Sequence, residues 1–479
     1  MNKELKRVSL AVLLMFVALF ASGTVITVFQ VDNLRADDRN VRTLYASFSA
    51  ERGPLLVDGT PIAESTPVDN DFKFQRVYNN PMLYAPVTGY FTLNQGNAGV
   101  EGALNDYLTG TANDQFLDQL SAIFTGQSPK GAAVELTIDP VIQQAAWDAL
   151  GDYKGSVVAI DPATGAILAM VSKPSYDPNL LAAHSTESVI TAYEQLTADP
   201  NSPLDNRAIA GDLYPPGSVF KVLMMAAAID SGAFDPTTAI SNPPTLQLPQ
   251  SSSVISNAEG GSCGGAATVT LADAFRLSCN IPFAQVGSTL GEDTIAEYAE
   301  AFGFGDRVEV PMAATASTFP SDMDEAQLML SSFGQYDVRT TPLQIAMISA
   351  AIANGGQLMQ PTLVESILAP DLTELQSFEP SVYSEPISAE TAETLVPLMV
   401  ANVANGAASN ARISGVEVAG KTGTAQNSES VPNTLWFTGF APASDPEIAI
   451  AVVVENGSGF GNQVSAPIAK KVFEAVLSK

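Results

Sequence analysis

The sequence is poor in the residues on which much of enzyme chemistry rests: one histidine, two cysteines and two tryptophans in 479 residues, with only 15% of side chains charged. The lone His184 stands far from any Gly-x-Ser-x-Gly elbow, so a Ser-His-Asp triad has little support. It lies in a polar stretch and reads as an ordinary surface residue. Two cysteines and one histidine are too few soft ligands for a zinc-type centre, and no metal is expected. Basic residues are scarce too, 22 against 51 acidic ones, for a net charge of −29. Nucleic-acid binding needs basic stripes to neutralise phosphates, and this balance argues against it. The acidity reads as solubility. No internal repeat is present.

Charge is missing altogether from Val8 to Val31, a run dominated by Val, Leu, Phe, Ala and Ile. Spanning a bilayer takes about 20 apolar residues, and this run is long enough. Lys3, Lys6 and Arg7 outnumber Glu4 before it, and everything after it is strongly acidic. The positive-inside bias therefore puts the N-terminus in the cytoplasm and the bulk of the chain outside, as a single-pass membrane protein. A cleaved signal peptide is the alternative, with Ala18-Leu19-Phe20-Ala21 as a small-residue site. The apolar run continues past that site and exceeds a signal's usual ~7–15 residues, which favours a retained anchor. In that compartment Cys263 and Cys279 are able to pair. Closing such a loop contributes about 3 kcal/mol in the chain-entropy model, and two free, partly buried thiols are the alternative.

Length suggests several folded units. Between Asp32 and Lys130 short apolar alternations are broken by Gly, Pro and Asn, as in Gly53-Pro54-Leu55-Leu56-Val57-Asp58-Gly59, which predicts a small, mostly β unit next to the membrane. Asp139 to Tyr153 has apolar residues at helical spacing behind an Asp-Pro start. Gly155 to Val171 is two apolar runs around Asp-Pro-Ala-Thr-Gly, a β-hairpin. Helices are expected from Ser218 to Gly232, Phe283 to Leu290, Thr294 to Phe302, Pro342 to Asn354 and Ala389 to Ala404. Strands at Thr434 to Ala441 and Glu447 to Glu455 and a helix from Ala466 to Leu477 close the chain. The stretch from Ser241 to Ala267 reads as long loops too polar for core. Early and late strands around a helical middle make an α+β arrangement.

Ser218-Val219-Phe220-Lys221 opens an apolar helix directly after Tyr214-Pro215-Pro216-Gly217. A spacing of three puts Ser218 and Lys221 on one face, and a helix N-terminus favours developing negative charge. A lysine whose ammonium is destabilised by low dielectric or nearby cations can take the serine's proton. Alone, Ser-x-x-Lys is a weak signal. Further on stand Ser278-Cys279-Asn280 and, after the apolar Val416 to Gly420, Lys421-Thr422-Gly423-Thr424. Read singly, Ser278 and Asn280 could cap a helix starting near Pro282, and Lys421 could be an exposed strand charge. Three motifs in this order and context are the signature of penicillin-binding proteins and class A β-lactamases.

On these motifs the chain resembles the class B penicillin-binding proteins, in particular the penicillin-binding protein A type of actinobacteria. Arg52-Gly53, Leu136-Thr137-Ile138-Asp139, Ser172 to Asn179, Asn206-Arg207-Ala208 and Trp436 to Pro442 carry the likeness through essentially the whole chain. Cysteine fills the middle of the second motif, where class A β-lactamases carry aspartate. The resemblance implies a cytoplasmic tip and transmembrane anchor at 1–31, a membrane-proximal non-catalytic domain at 32–130, and a transpeptidase domain at 131–479 whose antiparallel sheet is flanked by helices. It implies a D,D-transpeptidase that cross-links peptidoglycan stem peptides and is acylated by β-lactam antibiotics. Ser218 would attack the carbonyl between two D-alanines, with Lys221 as base. Ser278 would relay a proton to the leaving amine, and Asn280 would orient Lys221 and hold the substrate amide. Lys421, Thr422 and Thr424 would bind the terminal carboxylate, Gly423 would permit close approach, and the N–H groups of Ser218 and Thr424 would form the oxyanion hole. No cofactor is needed. A separate glycosyltransferase and other cell-wall or division proteins are expected partners, since too little chain precedes the catalytic region to hold a glycosyltransferase domain. A carboxypeptidase or a β-lactam sensor or hydrolase on the same fold, and a non-catalytic scaffold, are the competing expectations.

Overall fold

The computed structural model describes residues 3–26, 30, 48–115, 130–258, 260–427 and 431–478. The end of the apolar run at 27–29 and 31, and residues 32–47 and 116–129 of the expected membrane-proximal unit, lie outside the described residues. The first element is the helix Lys3–Thr24, whose Leu5–Thr24 portion is long and apolar enough to cross a membrane and is exposed among the described residues.

The hairpin read around Asp161 forms as Gly155–Ile160 and Ile167–Lys173. Its turn is held by Asp161, which accepts hydrogen bonds from the Ala163 N–H and the Thr164 hydroxyl, and by Gly165 at φ 83°. These strands join the three late ones in an antiparallel five-stranded sheet. Its order is Ala419–Ala425, Asn433–Ala441, Ile448–Gly457, Gly155–Ile160 and Ile167–Lys173. Side chains alternate between faces, and both faces are covered. Val157, Ala159, Ile450 and Val452 pack with Ile142, Ala146, Val472 and Phe473 of the helices Pro140–Leu150 and Ser465–Leu477. Val158, Ala449, Ala451 and Val453 face the other core, with Met224, Ile345 and Ile348 of Lys221–Asp230 and Pro342–Ala353. This is why the central strands read as continuous apolar runs.

Thr60–Pro67 and Phe74–Tyr78 form a second sheet with Leu55–Val57. Three short helices, Pro81–Thr88, Gly99–Ala103 and Asn105–Thr109, accompany them. The sheet is completed from beyond residue 131. Ala133–Leu136 pairs in parallel with Leu55–Val57, and Val364–Leu368 and Glu374–Ser377 extend it on the far side. Beneath it Glu101, wholly buried, accepts from Arg52, Arg76 and Tyr78. Burial alone would raise its carboxyl pKa, but the two guanidiniums outweigh that and hold it below its ordinary value.

Two local expectations change. His184 is not a plain surface residue: its ring stacks on Phe72 at 4.4 Å and meets Phe48 edge-on, because the loop that carries it docks on the turn before Phe74–Tyr78. The polar stretch after Ser241 is not all loop. Thr245–Gln247 pairs with Val254–Ser256, and Ala239–Ser241 with Thr268–Thr270, in ladders too short and exposed to show an apolar pattern.

Candidate active site

The Ser218 motif enters its helix through a tighter turn than periodicity suggests. Gly217–Phe220 is a 3₁₀ turn, and the α-helix starts at Lys221. In 3₁₀ geometry residues three apart eclipse, which favours the Ser218–Lys221 pairing. Gly217 sits at φ 53° and donates its N–H to Gly334 at 2.8 Å. Behind the turn the Trp436 indole donates to the Pro215 carbonyl at 3.0 Å, and Tyr214 donates to Glu455 at 2.6 Å. The motif strand Ala419–Ala425 lies against this turn, and a Cβ on Gly423 would stand 3.0 Å from the Pro216 carbonyl oxygen and 3.1 Å from the Val219 nitrogen. The glycine is what lets strand and turn close up.

Ser278, at φ 61°, occupies left-handed backbone that a non-glycine residue rarely adopts. From there its carbonyl accepts from Lys221 Nζ at 2.9 Å and its hydroxyl accepts from Lys421 Nζ at 2.7 Å. Asn280 Oδ1 accepts a second Lys221 hydrogen bond at 2.8 Å. Both lysines are fully buried. Burial first, and the neighbouring Lys421 charge second, push the Lys221 ammonium well below its ordinary 10.5. Burial brings Lys421 down to about 7. Lys421 is not the exposed strand charge that its motif read singly could have meant.

Ser218, Ser278, Asn280, Thr422, Gly423 and Thr424 line one cavity of about 560 Å³, with the two lysines behind its wall. The cysteines are bonded to one another, tying the segment around Cys263 to the middle of the second motif. The site therefore offers a half-exposed hydroxyl at a helix start, a buried amine able to hold or release a proton near neutrality, and an edge strand beside them. That is equipment for acyl transfer.

A model of the penicillin-binding protein transpeptidase domain matches residues 155–474. The chain belongs to the penicillin-binding protein transpeptidase family. A second model, of the penicillin-binding protein A dimerisation domain, matches residues 52–134 of this penicillin-binding protein. Among relatives, the peptidoglycan D,D-transpeptidase PbpA of Mycolicibacterium smegmatis is 43% identical, over 100% of this chain and 99% of its own. The PbpA of Mycobacterium tuberculosis is 42% identical over the same shares. Among solved structures, penicillin-binding protein A from M. tuberculosis as a penicillin G acyl-enzyme complex matches with a TM-score of 0.85 at 42% identity, covering 89% of this chain and 100% of that one. The D,D-transpeptidase domain of a peptidoglycan glycosyltransferase from Eggerthella lenta matches at 0.79 and 34%, covering 90% and 99%.

Every residue singled out in the three motifs of this penicillin-binding protein is brought to one place. The supports around them were not foreseen. Asn242 holds the Cys263 segment by hydrogen bonds to the Cys263 and Ala266 carbonyls. Thr422 donates to the Ala407 carbonyl, and Gly461 donates to the Thr424 hydroxyl. Asn257 accepts from the N–H groups of Asn280 and Ile281. Scattered polar residues in irregular segments give no spacing signal, so nothing in the sequence marks them.

Proposed function

We propose that this chain is a membrane-anchored peptidoglycan D,D-transpeptidase that works through an acyl-enzyme on Ser218 and is acylated there by β-lactams. The observation that carries the reading is the convergence of two buried lysines on Ser278, beside Ser218 and a glycine-bearing edge strand. Lys221, its ammonium destabilised by burial and by Lys421, takes the Ser218 proton as Oγ attacks the carbonyl between the two D-alanines. The resulting oxyanion rests on the N–H groups of Ser218 and Thr424, each worth roughly 3 kcal/mol in the transition state. The lysine pair that gained the Ser218 proton gives one up through the Ser278 hydroxyl, which accepts from Lys421 Nζ, to the leaving amine; the C–N bond breaks, and D-alanine departs. The edge strand Ala419–Ala425 offers an extended stem peptide backbone groups to pair with, while Lys421, Thr422 and Thr424 take its terminal carboxylate. The amine of a second stem then attacks the ester, displaces Ser218 and returns the proton to it. The helix Lys3–Thr24, with basic residues at its start, anchors the chain with its N-terminus in the cytoplasm and the site outside.

The test is intact-mass spectrometry of the detergent-solubilised full chain with benzylpenicillin, alongside Ser218→Ala. A stable single adduct, absent from the variant, is expected. Product analysis with paired stem peptides should then give dimers. Free D-alanine without dimers would replace transfer by carboxypeptidase action, rapid turnover of penicillin would indicate a hydrolase, and a folded protein with no adduct would leave only a scaffold.

A further inference from the structure

The helix Asn280–Leu290 begins without a cap of its own. Its N-cap residue is Cys279, whose side chain makes no capping hydrogen bond and whose sulfur is bonded to Cys263. A helix start leaves N–H groups in need of acceptors, and an uncapped one frays. Here the acceptor comes from far upstream: Asn257 Oδ1 takes the Asn280 N–H at 2.9 Å and the Ile281 N–H at 3.2 Å. Asn257 is only 4% exposed, and its amide nitrogen donates to the Gly261 carbonyl at 3.1 Å, so both ends of its side chain are engaged within the protein. The preceding Ser256 carbonyl accepts from Asn280 Nδ2 at 3.1 Å. That fixes which way the Asn280 amide faces, nitrogen toward Ser256 and oxygen toward Lys221.

We infer that Asn257 is a positioning residue for the acyl-transfer reaction: it caps the helix that carries Asn280 and so holds Asn280 Oδ1 on the Lys221 amine. The inference rests on the acyl-transfer reading above. Asn257 lines the cavity, but its Oδ1 is taken by the two N–H groups and its Nδ2 is turned to the Gly261 carbonyl, so it acts through Asn280. Among the described residues the charged group that faces Lys221 is Lys421, and the Phe283 and Phe333 rings stand 5.4 and 6.0 Å from its amine. A frayed first turn admits water to this enclosure. Water stabilises the ammonium, so Lys221 then holds its proton to higher pH.

The experiment is the acylation rate of the full chain by benzylpenicillin as a function of pH, for wild type, Asn257→Ala, Asn280→Ala, the double variant and Asn257→Asp. Asn257→Ala should slow acylation near neutrality about tenfold and move the acid limb about one unit to higher pH, as expected for a lost cap that exposes the base. In the Asn280→Ala background the same change should alter the rate less than about twofold, since residues acting in series do not add. Asn257→Asp keeps the acceptor and loses the donor to Gly261. At the alkaline plateau it should acylate within about threefold of wild type, and it keeps the test open if Asn257→Ala does not fold. An unshifted acid limb, rate losses that multiply in the double variant, or Asn257→Asp as slow as Asn257→Ala at the plateau would each overturn the role. Loss of the Ser218 adduct from the wild type itself would sink the acyl-transfer reading beneath it instead.

Discussion

At the scale of single residues, two lysines are set apart from ordinary ones by burial. A surface lysine is charged at neutral pH and useless as a base, whereas Lys221 is enclosed with a second cation beside it. Because the base must be neutral, acylation should fall as the pH drops through the lowered pKa of Lys221, with the acid limb well below the ordinary 10.5. Lys221→Arg keeps a cation there but cannot release its proton, and should slow acylation by about 10²–10⁴-fold, the usual worth of a general base. A benzylpenicillin acylation profile checks both, and a variant as fast as wild type would remove Lys221 from the proton's path. The same shifts cost stability. The unfolded chain binds these two protons below 10.5, while the folded one resists Lys421 protonation down to about 7, so stability is lost as the pH falls through that window.

At the scale of elements, the long periodic segments formed nearly where spacing put them. Pro342–Ala353 and Ala389–Asn405 are helices, and Asn433–Ala441 and Ile448–Gly457 are strands. What periodicity missed is the 3₁₀ entry to the nucleophile helix and the two small ladders after Ser241, because a single turn or a three-residue strand has no period to read. Ser278 and Asn280 are both good N-cap types, yet neither caps the helix beside them; the cap is supplied from Asn257. The bond from Cys263 to Cys279 closes that same loop against the cavity wall. Cys263→Ser should lower thermal stability by about 3 kcal/mol of lost loop constraint and slow acylation, since Ser278 and Asn280 flank the bonded cysteine. A calorimetric melt and an acylation rate both equal to wild type would show that the bridge steadies nothing.

At the scale of the whole molecule, the sheet that holds Leu55–Val57 is built from widely separated parts of the chain. Val364–Leu368 pairs with Ala133–Leu136, which pairs with Leu55–Val57. We propose that the membrane-proximal unit, divided in sequence from the catalytic one near residue 131, folds only with it. Glu101 is the charged tie inside that unit, and Glu101→Ala would leave Arg52 and Arg76 buried without a counter-charge. Removing one partner of such a network costs about 3–5 kcal/mol. The melting temperature should drop clearly while each folded molecule still acylates normally, because the cavity lies among other elements. An unchanged melting temperature would mean that the two guanidiniums find other partners.

The apolar N-terminal helix, the α+β order of elements and the three polar motifs are legible in the sequence, because each is written in residues close together in the chain: a charge-free run, a period of two or of 3.6 residues, a serine three places before a lysine. Tertiary structure decided what those residues became. Lys221 and Lys421 are enclosed amines and not surface charges because distant elements close over them. Ser278 meets both because a left-handed backbone aims it between a helix and a strand. Asn257 reaches Asn280 and Glu101 reaches Arg52 across long stretches of chain, and burial and long-range contact leave no local trace in a sequence.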